Sequence, residues 1–87
     1  MSKRQETEYD RLQKAKIEEL LRKTPAGSLL GIVIHRVLNG ESEFDFTTLL
    51  NNLVSQAEVD EEAVTNTIGK DLLEEIKSYV KRQSSQK

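Results

Sequence analysis

The only histidine, His35, is the residue best suited by type to acid–base chemistry near neutral pH. Catalysis by a histidine requires a nucleophile or a carboxylate beside it in a cleft. Glu43 and Asp45 are the acids that would have to approach it. Because His35 stands beside Arg36 on the narrow polar edge of an otherwise apolar segment, its position favours a structural role. We therefore predict a protein that is not an enzyme and has no catalytic residues.

Metal and cofactor sites have little support in the sequence. The chain contains no cysteine, which excludes a thiolate zinc site, a cysteine nucleophile and a disulfide framework. Its acids lack the spacing of an EF-hand loop. The glycines at 27 and 31 lack the lysine of a phosphate-binding loop, because no lysine lies between Lys23 and Lys70. The sequence predicts no metal and no cofactor.

Charge is distributed unevenly along the chain, although the net charge is only −2. Residues 1–24 and 70–87 each carry a surplus of two positive charges, whereas residues 25–69 contain one Arg and seven acids. Asp45 and Asp60 are explained as helix N-caps, and acids in a first helical turn are favoured by the helix dipole. A patch for a basic partner protein is the alternative interpretation of the remaining acids. The candidate partner-binding residues are Glu41, Glu43, Glu58, Glu61 and Glu62.

A sixteen-residue segment, 53–68, resembles the helix-turn-helix of bacterial repressors. Ala57 matches the small residue that closes the first helix, Val59 the apolar residue of the turn, Asp60 the cap and Val64 the buried valine. The resemblance implies that the 46–68 segment binds nucleic acid.

The residues available for such contacts are Thr65, Asn66 and Thr67. Two departures oppose this function. Glu58 stands where that family usually has glycine, and the second helix opens on three acids that phosphates would repel. Nucleic acid is therefore the less favoured partner, and two helices joined by a tight turn is the simpler interpretation.

Four amphipathic segments must position these residues. We predict helices over about 8–23, 25 or 28 to 38, 46–57 and 61–81, with Gly69 marking a kink or a break that would make a fifth helix. Thr24 and Ser28 are alternative caps of the second helix. The expected fold is all-α: a compact bundle of four or five short helices, packed orthogonally or antiparallel, in one domain over 9–82. We interpret 1–8 and 83–87 as flexible tails.

The second helix is apolar on most of its circumference, so we expect it to be the most buried. A β-hairpin turning at Asn39 and Gly40 is the less favoured alternative. The apolar faces of the other helices are also predicted from their spacing: Tyr9, Leu12, Ile17, Leu20 and Leu21 in the first; Phe46, Leu49, Leu50, Leu53, Val54 and Ala57 in the third; Val64, Ile68, Leu72, Leu73, Ile76, Tyr79 and Val80 in the fourth.

These features together favour a small helical protein that acts by binding another protein, either a basic surface or a second copy of itself as a homodimer. A surplus of apolar positions on 87 residues would leave part of one face exposed. Tyr9, Leu12 and Leu20 are the first candidates for that face. The longest apolar stretch is about half of the ~20 residues that a membrane span needs. We expect a soluble cytoplasmic protein with no membrane contact.

Overall fold

The computed structural model describes residues 8–84, which form five α-helices. These are α1 (Glu8–Arg22), α2 (Leu29–Leu38), α3 (Phe46–Val59), α4 (Glu61–Ile68) and α5 (Lys70–Ser84). Helix α3 packs against α4 and α5, while α1 packs against α5 and α2. No strand occurs among the described residues, so the predicted all-α bundle is confirmed and the hairpin alternative is excluded.

The helix starts follow local capping chemistry. Ser28, Asp45 and Asp60 each accept a hydrogen bond from the backbone N–H three residues further on, at 3.0, 2.8 and 3.2 Å. Each bond satisfies one of the N–H groups that a helix leaves unpaired in its first turn. The predicted caps at Asp45 and Asp60 are confirmed, and Ser28 rather than Thr24 caps α2.

Gly69 separates α4 from α5. Its φ of 92° lies in a region that residues with a Cβ rarely adopt, and its N–H donates to the carbonyl of Thr65. This single residue ends one helix and allows the next to start in a new direction. The predicted break at Gly69 is therefore confirmed, and the fifth helix exists.

The main core lies between α1, α3 and α5, with one buried side chain from α2. The apolar faces predicted for the third and fourth segments are buried or half-buried, as expected. The buried members of the main core contact one another in a single cluster: Ile17, Leu21, Ile34, Leu49, Leu50, Leu53, Leu72, Ile76 and Tyr79. Val64, Ala57 and Leu73 form a smaller adjoining cluster under α4.

Helix α2 is not the most buried helix, so that prediction is wrong. Only Gly31 and Ile34 are buried in it, while Leu29, Ile32 and Val33 are exposed. The physical reason is geometric. Helix α2 rests on the bundle through one side, and a helix that is apolar on several sides can bury only the side that its neighbours cover.

The N-terminal half of α1 also departs from expectation. Tyr9 and Leu12 are exposed, and the buried residues one position along are Asp10 and Gln13. These polar side chains are buried because they meet the guanidinium of Arg82 on α5. Polar contacts here replace the apolar face that the spacing predicted.

The helices reach the limits of the described residues at both ends. Glu8 belongs to α1, and Gln83 and Ser84 belong to α5. The remainder of the predicted tails, 1–7 and 85–87, lies outside the described residues. Among residues 8–84, no helix has the length and apolar character required to traverse a membrane.

The Asp45 cap makes stability depend on pH in a defined direction. Hydrogen bonds from Thr48 hold the pKa of Asp45 below its usual 3.8 in the folded chain. A lowered folded-state pKa stabilises the fold above the usual value, and this stabilisation is lost as the pH falls through the folded-state pKa. We expect acid to destabilise wild type more than Asp45→Asn, which keeps an uncharged cap. Urea unfolding of both proteins as a function of pH tests this, and parallel curves below 3.8 would contradict it.

Candidate functional site

The outer face of α2 carries exposed apolar side chains. Leu29 is 84% exposed, Ile32 43% and Val33 45%, and their spacing places them on one side of the helix. Phe44, 53% exposed, stands in the connection to α3 and lines a cleft together with Val33. We call these four residues the α2 surface.

Two clefts adjoin the α2 surface, and Val33 lines both. One, of about 380 Å³, lies between α2 and residues 41–44. The other, of about 300 Å³, lies between α2 and α3, where Leu30 and Leu53 form its apolar floor and Asn52, Ser55 and Gln56 its polar edge. Val33 therefore stands on a ridge with a recess on either side, a shape that a partner's side chains can fill.

Three charged residues border the first of these clefts: Arg36, Glu41 and Glu43. All three are exposed, and within residues 8–84 none of them takes part in an ion pair. The N–H of Glu41 donates to the carbonyl of Arg36 over 2.8 Å, which holds the two backbones together. Charges of both signs thus lie next to the apolar ridge without an ion pair to any residue of the described part of the chain.

The five predicted partner-binding acids are all exposed but occupy two separate places. Glu41 and Glu43 precede the start of α3, whereas Glu58 lies in its last turn and Glu61 and Glu62 follow its end. The fourteen residues of α3 span about 21 Å at 1.5 Å per residue. The structure therefore does not bring the acids together as one patch.

The second acidic group has local roles. Glu61 forms an ion pair of 3.3 Å with Lys77 of α5, and Glu61 and Glu62 lie in the first turn of α4. Glu41 and Glu43 instead line a cleft together with Val33 and Phe44 of the α2 surface.

His35 has a structural contact. Its Nε2 donates a hydrogen bond to the backbone carbonyl of Thr24, because a carbonyl oxygen can only accept. Gly31, one turn earlier on α2, faces the carbonyl of Pro25. Together the two residues hold the connection between α1 and α2 against the helix.

The hydrogen bonds of His35 and the placement of potential metal ligands are known for residues 8–84. Within residues 8–84, His35 forms no hydrogen bond with a carboxylate or a hydroxyl, so Glu43 and Asp45 are not its partners. No group of three or more potential metal ligands occurs in that same part of the chain.

The 53–68 segment does form two helices joined by a tight turn. Ala57 and Val64 are buried and Asp60 caps α4, as in the repressor pattern. Val59, the residue matched to the apolar turn position, is 82% exposed and fills no core. A single residue, Asp60, separates the two helices, whereas DNA-binding helix-turn-helix motifs use a turn of three or four.

The three residues proposed for nucleic-acid contact lie on α4. Thr67 uses its hydroxyl to bond the carbonyl of Ala63, at 2.9 Å. Thr65 and Asn66 line a shallow recess whose other walls include two carboxylates and Lys70. Those carboxylates, on Glu61 and Glu62, oppose the approach of phosphate.

The α2 surface contains residues that sequence reasoning did not select. The predicted candidates for an exposed apolar face were Tyr9, Leu12 and Leu20, of which the first two are exposed and the third is half-buried. The available signal was the excess of apolar positions on α2. The side of α2 that faces solvent is defined only by the positions of the neighbouring helices.

No protein-family model, no curated protein and no solved structure matches the chain.

Proposed function

We propose that this chain is a non-enzymatic protein-binding module that docks its partner on the α2 surface. The observation that carries the proposal is the group of four exposed apolar side chains, Leu29, Ile32, Val33 and Phe44. Keeping apolar area in water costs about 25 cal/mol per Å² relative to burying it. Contiguous exposure of this kind marks interaction sites more often than it serves the folded monomer.

The surroundings of the α2 surface have the composition of a protein interface. Apolar side chains occupy its centre, and charged or polar groups occupy its edge. Interfaces favour aromatic residues and arginine, and Phe44 and Arg36 are both exposed here. The clefts beside Val33 supply recesses in which a partner's side chains would lose their contact with water.

The test compares Val33→Glu with Val59→Glu. Both sites are exposed valines within helices, so both variants add one charge and keep the helix, but only Val33 lies on the α2 surface. Burying an unpaired carboxylate at an interface costs several kcal/mol, so we expect about 100-fold weaker binding for Val33→Glu. The Val59→Glu variant should bind its partner as wild type does.

The measurement is quantitative affinity capture with the three proteins as bait, followed by mass spectrometry. Support requires proteins that wild type and Val59→Glu retain and Val33→Glu loses. Circular dichroism first establishes that all three baits are equally helical. Equal capture by folded Val33→Glu would remove the α2 surface as the docking site.

A further inference from the structure

We propose that the partner seated on the α2 surface is a second copy of this chain, related by a two-fold axis. This inference rests on the proposed function and names the partner for it. In a two-fold dimer the same patch of both subunits meets, so the patch must complement itself. The α2 surface satisfies that requirement both in its apolar part and in its charges.

Charges of both signs line the cleft beside Val33, because Arg36, Glu41 and Glu43 all border it. A two-fold axis through this cleft brings Arg36 of each copy towards the acids of the other and forms two equivalent sets of ion pairs. An exclusively basic partner would instead meet Arg36 with like charge, and an exclusively acidic partner would meet Glu41 and Glu43.

The arrangement of Arg36, Glu41 and Glu43 within one copy also favours a second copy as the partner. Within residues 8–84, the three side chains form no ion pair in the monomer. The hydrogen bond from Glu41 to the carbonyl of Arg36 fixes their relative position at the backbone. The opposite charges therefore lie close to the proposed axis without neutralising each other in the monomer.

The apolar part supplies the contact at the axis. Phe44 and Val33 line the same cleft, so the two-fold places Phe44 of one copy against Val33 and Phe44 of the other. Leu29 and Ile32 extend the apolar contact away from the axis along α2. A specific interface commonly buries about 800 Å² per partner, and four partly exposed side chains reach less than this. We therefore expect a reversible dimer with a Kd in the micromolar range.

Analytical ultracentrifugation of the purified chain between about 1 and 500 µM tests the proposal. We expect a concentration-dependent monomer–dimer equilibrium that Val33→Glu abolishes. In Arg36→Glu, residue 36 of each copy is acidic and repels Glu41 and Glu43 of the other copy. This variant should weaken the dimer at least about tenfold. Arg11→Glu makes the same change of charge at an exposed site on α1, and its dimer should match wild type.

A charge-reversal mixture gives a readout that misfolding cannot imitate. Arg36→Glu and Glu43→Arg each impair their own dimer, but an equimolar mixture should form a heterodimer because opposite charges then meet again at both pairs. Recovery of the dimer mass in the mixture supports the proposed axis.

Two results overturn the inference: a monomer at every concentration, or a dimer that Val33→Glu and Arg36→Glu leave intact. If the purified chain is a monomer but capture still depends on Val33, the protein-binding function stands with a different partner. If capture is independent of Val33 as well, both proposals fail.

Discussion

Replacing Gly31 with alanine is expected to lower the free energy of unfolding by about 1–3 kcal/mol, although alanine is the better helix former. A Cβ at this position would overlap with the backbone carbonyl oxygen of Pro25 and press on the Ser28 hydroxyl. The carbonyl cannot move away cheaply. The preceding carbonyl, on Thr24, is held by His35, and Ser28 is engaged as the cap of α2.

Gly27→Ala is the matched control. Gly27 lies in the same connection, but a Cβ there meets nothing within 4 Å. We expect its stability to stay within about 0.5 kcal/mol of wild type, as for an ordinary surface substitution. For a domain of this size, 1 kcal/mol corresponds to a change in Tm of roughly 4–8 °C, which thermal unfolding followed by circular dichroism resolves. Equal melting temperatures for the two variants would show that the packing of Gly31 against Pro25 does not limit stability.

Gly27 and Gly31 differ in a way that could not be predicted from the sequence. The sequence places a helix end just before Pro25 and offers Ser28 as one of two alternative caps of α2, because each effect depends on a few neighbouring residues. The role of Gly31 depends on how the chain folds back over α2 after Pro25. No local sequence pattern predicts the close approach of the Pro25 carbonyl to Gly31, although the sequence does show a glycine inside an apolar helix.

The same distinction explains the results for the helices. Asp45, Asp60 and Gly69 act within one helical turn, and their roles follow from the sequence. The burial of α2 does not, because its apolar residues surround the helix and several sides are equally suitable for packing. Helices α1, α3 and α5 supply nearly all of the main core, so most of the outward face of α2 stays in contact with water.

The candidate site was predictable in part for the same reason. Glu41 and Glu43 were among the predicted partner-binding acids, and they do border the α2 surface. Their association with Phe44 and Arg36 required the turn after α2 to bring residue 44 back towards Val33. The prediction placed Glu58 in the same set because all these acids fall in one stretch of the sequence. In the structure, the length of α3 separates Glu58 from Glu41 and Glu43.

Removing the carboxylate of Asp10 is expected to destabilise the fold by about 1–3 kcal/mol, because Asp10→Ala takes a buried ion-pair partner away from a half-buried guanidinium. Asp10 is almost fully buried, and its Oδ1 lies 3.1 Å from Nη2 of Arg82. The same nitrogen of Arg82 donates to the side-chain oxygen of Gln13, and the guanidinium stacks over the ring of Tyr9. These contacts join the first turns of α1 to the last turn of α5.

Glu18→Ala provides the comparison for Asp10→Ala. Glu18 pairs with Arg22 over 3.0 Å, but both side chains are well exposed, and such pairs contribute about 0.3–0.5 kcal/mol. Urea unfolding of Asp10→Ala, Arg82→Ala and the double variant measures the coupling directly. We expect at least about 1 kcal/mol of coupling between the two residues, since neighbours in one polar network are not additive. Additive effects, or a loss no greater than that of Glu18→Ala, would mean that the Asp10–Arg82 pair does not fix α1 against α5.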